Sequence, residues 1–181
     1  ELTEISRQIG TQPASTLLVV ALVMILVAFG FKAAAAPFHL WAPDVYQGAP
    51  ATSAALIASA SKLAGFTLFV RLLWGGFGAA PGHSVMPSWL PVVAIIAAVS
   101  LVLGNLAALA QSNVRRLLAY SAIAHAGALL LGVMVAGRAG PGPLFYYAAT
   151  YGLATVGAFG VIAVVDCGGS CQNLNDLDGL H

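Results

Sequence analysis

Charge is scarce in this sequence. Asp, Glu, Lys and Arg make up 7% of its 181 residues, where soluble domains carry roughly 25%, so an ordinary water-soluble globule is excluded. The few charges nearly cancel, at a net +1, which leaves neither a basic footprint for nucleic acid nor a polybasic surface for anionic lipid. Partners are therefore sought within the bilayer. Cysteine is scarcer still, with only Cys167 and Cys171 in DCGGSC. A zinc site takes about four ligands, and His181 is the one histidine nearby, so free thiols are expected there rather than a metal or a disulfide. Nucleophile-elbow, phosphate-loop, dinucleotide and zinc-protease spacings are also missing. No redox centre, metal or cofactor is expected on this chain.

What fills the sequence instead is apolar: 60% of residues are hydrophobic. Charge-free windows run over 8–31, 45–61, 72–114, 117–137 and 139–165, and crossing a hydrocarbon core takes about 20 apolar residues as a helix. These windows predict an all-α membrane protein with about five transmembrane helices. They fall at 16–36 (with a short continuation at 38–41), 51–74, 92–110, 117–136 and 144–165, flanked by a loop or helix end at 1–15 and a polar loop at 166–181. Arg115 and Arg116 oppose Arg7, Arg71 and Arg138 across the membrane, so the positive-inside rule gives no orientation. The opening ELTEISRQ has no initiator Met, basic n-region or cleavage site. An interior piece of a longer protein is expected.

The first span carries an interruption. In FKAAAAPFHLW, Pro37 removes a backbone N–H and crowds the carbonyl of Ala33, which predicts a helix broken at Pro37 and followed by a turn-rich stretch, APDVYQGAP. Broken backbone at membrane depth is tolerated only inside protein or beside a wet cavity. Lys32 lies just before the break and Lys62 near the middle of the second span. Ionisable groups at that depth cost roughly 2.5–3.5 kcal/mol to insert and mark pathways or fixed ion pairs; both readings stand for these lysines. His39 and His125 (YSAIAHAG) titrate near neutral pH and are either proton relays or histidines satisfied by a neighbour. Tyr147, Tyr151 and Thr155 recur every four residues on one face of the last span; they either line a hydrated channel or, the preferred reading, glue helices together. Asn105 carries the same two readings. Asp44 is expected to cap or close a turn. Trp74 and Trp89 flank a Gly- and Pro-bearing loop and are expected as interfacial anchors.

FKAAAAPFHLWAPDVYQGAP, SKLAGF and NVRRLLAYSAIAHAG together resemble the antiporter-like membrane subunits of respiratory complex I. Within that family they are most similar to the branch that includes mitochondrial subunit 2; the sister subunits L and M and the sodium/proton antiporter subunits vary the first of these stretches. The resemblance covers about residues 15–165, and NLNDLDGL also looks like the family's loop before a further helix. It implies a fourteen-helix antiporter-like fold with two inverted five-helix repeats, each holding one broken helix. By motif match it implies that Lys32 pairs with a glutamate on an earlier helix and that Lys62 is the lysine of the central axis; with His125 and His39, read from their own chemistry, these lysines are expected to form the proton pathway. It further implies a translocase subunit in a bacterial inner membrane that couples NADH-to-quinone electron transfer to proton movement. NADH, FMN, iron–sulfur clusters and quinone would sit on other subunits of the complex, and the other membrane-arm subunits would be the partners. A cation/proton antiporter or membrane-bound hydrogenase subunit of the same superfamily, or a purely structural membrane subunit, are the alternatives. DCGGSC departs from the charged linker the family would show after the fifth span.

Overall fold

The computed structural model describes residues 16–77, 89–165 and 173–177. Five helices are long and apolar enough to cross a bilayer: α1 (Thr16–Ala33), α3 (Ala51–Phe77), α4 (Trp89–Leu109), α5 (Val114–Ala139) and α6 (Gly142–Val165). A short helix, α2 (Trp41–Gly48), lies between α1 and α3. The expected spans are all present, with different ends. The loops assigned to 1–15 and to most of 75–91 and 166–181, including Cys167, Cys171 and His181, lie outside the described residues.

The break in α1 comes earlier than Pro37 suggests. Ala34 takes the left-handed conformation, φ +57°. Its N–H donates to Phe31 O at 3.0 Å, and the Ala35 N–H donates to Gly30 O at 2.9 Å, the paired bonds that close a Schellman motif. An L-residue in that conformation costs roughly 1–2 kcal/mol, so α1 stops at Ala33 by a cap and the proline sits in the turn beyond it. Phe38 folds back onto α1 at Gly30, where a Cβ would come within 2.7 Å of the Phe38 ring.

The helix resumes at Trp41 rather than Phe38. The turn-rich reading of APDVYQGAP is thus corrected: most of it is α2. Pro43 falls in the first turn, where a missing N–H costs nothing, and Asp44 beside it suits the positive end of the helix dipole. Pro50 then starts α3. That helix is not regular: it widens into π turns at Ile57–Ser61 and Leu73–Phe77.

Close approach of α4 and α5 forms the rigid centre. A Cβ on Gly104 would lie 2.6 Å from the Ala124 backbone nitrogen, and one on Gly127 would lie 2.7 Å from Ala97 O. Backbone meets backbone at both points, the packing that small residues permit between membrane helices. Leu22 and Leu26 of α1, Phe66 and Phe69 of α3, and Leu129 and Val133 of α5 fill one apolar core around this pair. Trp74 and Trp89, expected as interfacial anchors, pack edge to face with centroids 5.2 Å apart. The Trp74 indole N–H also donates to Val133 O at 2.7 Å, so it fastens α3 to α5. Asn113 caps α5 by accepting the Arg116 N–H at 3.1 Å. Residues 173–177 return to the α4–α5 turn, where the Leu174 N–H reaches Ser112 O at 2.9 Å.

Adding a methyl at either contact must push backbone apart. Gly104→Ala and Gly127→Ala should each destabilise the fold by about 1–3 kcal/mol, read as a lower thermal midpoint in detergent. Gly157→Ala, where a Cβ meets nothing, should leave the midpoint unchanged or slightly raised.

Candidate functional site

Lys62 follows directly on the first π turn of α3. The extra residue of a π turn rotates what comes after it, and here Lys62 is turned inward, with 5% of its surface exposed. Its Nζ donates to Ala122 O of α5 at 2.5 Å and lies 5.6 Å from the centre of the Tyr151 ring of α6. No carboxylate reaches Lys62 or Lys32 among the described residues. The amine is therefore held by a neutral carbonyl and an aromatic face, with donor hydrogens left over for water.

Lys32 stands in the last turn of α1 and is exposed in this chain. One small cavity of about 10 Å³ is lined by both lysines together with Phe29, Ala33, Gly65 and Phe66. That volume is about the least that can hold one water, and its walls are almost wholly apolar apart from the two lysines. The α1 break and the π turn of α3 thus bring two lysines, thirty positions apart in sequence, to the same void.

On the other side of Lys62 stands His125. Ala122 and His125 share a face of α5, so the carbonyl that holds Lys62 is one turn from the imidazole. His125 Nδ1 lies 2.6 Å from the Tyr147 hydroxyl, and its ring centre is 4.5 Å from that of Tyr151. The Tyr147–Tyr151–Thr155 stripe does join helices, through Tyr147. It also lines, with Ser121, His125 and Thr150, a groove of about 400 Å³ between α5 and α6. Thr155 turns its hydroxyl back to Tyr151 O at 2.8 Å, and Asn105 donates to Leu101 O of its own helix at 2.8 Å.

His39 is not part of this row. It is buried, its Nδ1 has no hydrogen-bond partner among the described residues, and no interaction joins it to either lysine or to His125. Asp44 also departs from expectation: it pairs with Arg116 at 2.7 Å. Arg116 further donates to Gln47 Oε1 at 3.0 Å, and Arg115 donates to the carbonyls of Gln47 and Ala49 at 3.4 and 3.2 Å. These bonds tie α2 to the start of α5. Sequence reasoning missed Tyr147 and Tyr151 as partners of His125 and Lys62, although their four-residue spacing carried the signal. It had no access to Ala122, because a backbone carbonyl leaves no mark in a sequence.

The profile of the family "NADH:quinone oxidoreductase/Mrp antiporter, TM" matches residues 1–181. A curated relative in Acidobacterium capsulatum, NADH-quinone oxidoreductase subunit N 2, is 53% identical over 175 residues, which are 94% of this chain and 35% of that protein. The subunit N of Desulforamulus reducens is 41% identical over 98% of this chain and 36% of its own length. The chain spans about a third of the length of these relatives. Among solved structures, a chain of respiratory complex I from Thermus thermophilus with bound aureothin shares 44% identity at a TM-score of 0.68, covering 83% of this chain and 31% of that one. A chain of an archaeal membrane-bound sulfane sulfur reductase superposes with a TM-score of 0.81 at 25% identity, over 91% of this chain and 33% of its own.

The His125–Tyr147 bond is a neutral hydrogen bond between helices, for which about 0.5–1.5 kcal/mol is typical. Tyr147→Phe should destabilise the α5–α6 pair by that amount, seen in thermal unfolding. It should also shift the ring-nitrogen NMR signals of His125.

Proposed function

The chain belongs to the family of membrane subunits shared by NADH:quinone oxidoreductases and Mrp antiporters, and from that membership we propose that it carries protons as part of a membrane-arm subunit of an NADH:quinone oxidoreductase. In this reading the protein is a multi-pass component of a bacterial inner membrane, surrounded by lipid and by other membrane-arm subunits. Electron transfer from NADH to quinone takes place on those other subunits, which hold the flavin and iron–sulfur clusters. This chain contributes the coupled proton step.

The observation that carries the proposal is the setting of Lys62: a buried amine held by the neutral carbonyl of Ala122, with the cavity shared with Lys32 on one side and His125 on the other. An amine in an ion pair must break that pair to release a proton. One held by a carbonyl need not. A proton arriving at Lys32 passes through the one-water cavity to Lys62, and leaves past the Tyr151 face toward His125, whose imidazole accepts at one nitrogen and releases at the other. The exposed head of Lys32 is where the family resemblance puts a membrane glutamate; moving that carboxylate charge toward or away from Lys32 would decide when the proton moves on. His39, apart from this row, is proposed as an outlying member of the route on the strength of its burial and its unpartnered Nδ1.

A second reading, a subunit of a related complex that reduces another acceptor or exchanges cations, draws on the TM-score of 0.81 to the sulfane sulfur reductase. Identity favours the first, since the complex I chain is 44% identical and the reductase chain 25%.

The test exploits the inability of a guanidinium to deprotonate in proteins. Carried in the full-length subunit, Lys62→Arg should keep a buried cation and the assembly of the complex, yet lose most of the proton yield per NADH oxidised. Lys62→Ala should lose it as well. Full proton yield in an assembled Lys62→Arg complex would leave Lys62 a structural cation and sink the proposal. Isolation of the native protein with no NADH dehydrogenase subunits would favour the second reading.

A further inference from the structure

One polar contact to the α1 break comes from a different helix. In a continuous helix the Ala36 N–H would donate to the carbonyl of Lys32, four residues back. Here it donates instead to the Ser100 hydroxyl of α4 at 2.9 Å. Ser100 is fully buried and Ala36 is 1% exposed, so no water competes at this bond. The hydroxyl's own hydrogen is directed to Ile96 O at 2.7 Å, which turns its lone pairs toward Ala36. Its donor and acceptor roles are both fixed. Ser100 therefore takes the N–H that the end of α1 leaves without a helical partner, and anchors the turn to the rigid α4–α5 pair.

We propose that Ser100 is a positioning residue: by accepting the Ala36 N–H, its hydroxyl holds the α1 break in the geometry that sets Lys32 at the cavity shared with Lys62. The proposal rests on the reading of Lys32 as a proton carrier. Ser100 touches neither lysine and moves no proton; it acts through the turn. Without the hydroxyl, the Ala36 N–H is buried and unpaired, and the turn after α1 loses its tie to α4. The end of α1 is then free to shift against α3, and Lys32 in its last turn moves off the cavity with it.

The experiment uses the complete complex in native membranes, with substitutions in the full-length subunit. It reads protons translocated per NADH oxidised and assembled complex per membrane protein. Ser100→Thr and Ser100→Val are equal in size and differ in the hydroxyl. Thr should pump near the wild-type yield, whereas Val and Ser100→Ala should fall several-fold, toward the yield of Lys32→Ala. In the Lys32→Ala background, Ser100→Ala should cause no further loss, because the serine acts only through the lysine. Equal behaviour of Thr and Val, or a further loss in the double variant, would overturn the assignment. So would failure of both hydroxyl-free variants to assemble, since the hydroxyl would then serve the fold and not the lysine. A Lys32→Ala complex with full yield would instead remove the proton-carrying role of Lys32. Loss of yield in Lys32→Ala with full yield in Ser100→Ala removes the role of Ser100 alone.

Discussion

A hydrocarbon interior offers no water to a backbone, so every N–H and C=O that leaves a helix there must find its partner in protein. Much of this structure follows from meeting that demand at one place, the end of α1. Interrupting the helix frees donors and carbonyls together. The Ala34 and Ala35 N–H groups turn back to Phe31 and Gly30, the Ala36 N–H is taken by Ser100, and the Trp41 indole reaches the Phe31 carbonyl at 3.0 Å. Each partner comes from a different distance in sequence. The break is therefore shaped jointly by three helices.

This division also explains what the sequence revealed and what it concealed. Five spans were legible because apolar length is a property of the chain by itself. Lys32, Lys62 and His125 stood out for the same reason, as polar groups in apolar runs, and the structure brings these three to one row. The position of the break was not legible: Pro37 is a conspicuous breaker, whereas the residue in the left-handed conformation is Ala34, one alanine among four, with no glycine to announce it. α2 was hidden behind APDVYQGAP because proline and glycine read as turn residues, and only their places at the two ends of the segment make them helix boundaries. The π turn before Lys62 was invisible, since no residue type encodes it.

The connectors of one membrane face are fastened to one another. α2 is tied to the start of α5 through Asp44, Gln47, Arg115 and Arg116. The α4–α5 turn in turn receives residues 173–177, with Asn113 bridging to Asn173. The Asp44–Arg116 pair is largely solvent-facing on the Asp44 side, and such pairs are individually weak. The carbonyls bound by Arg115 are more informative. They belong to Gln47 and Ala49, at the end of α2, where a helix leaves acceptors unpaired. Arg115 thus closes the helix that follows the break, with Arg116 holding two of its side chains, while Ser100 closes the turn that precedes it.

The bond from Lys62 to Ala122 has a mechanical consequence of its own. A carboxylate partner would grip an ammonium and release a neutral amine, so the side chain would travel whenever its charge changed. A carbonyl asks only for a hydrogen, and an amine has one to give whether it is charged or not. Lys62 can therefore stay at its post in both states, and any coupling to a charge elsewhere would have to be transmitted by field and by water, with no lever arm in the side chain itself.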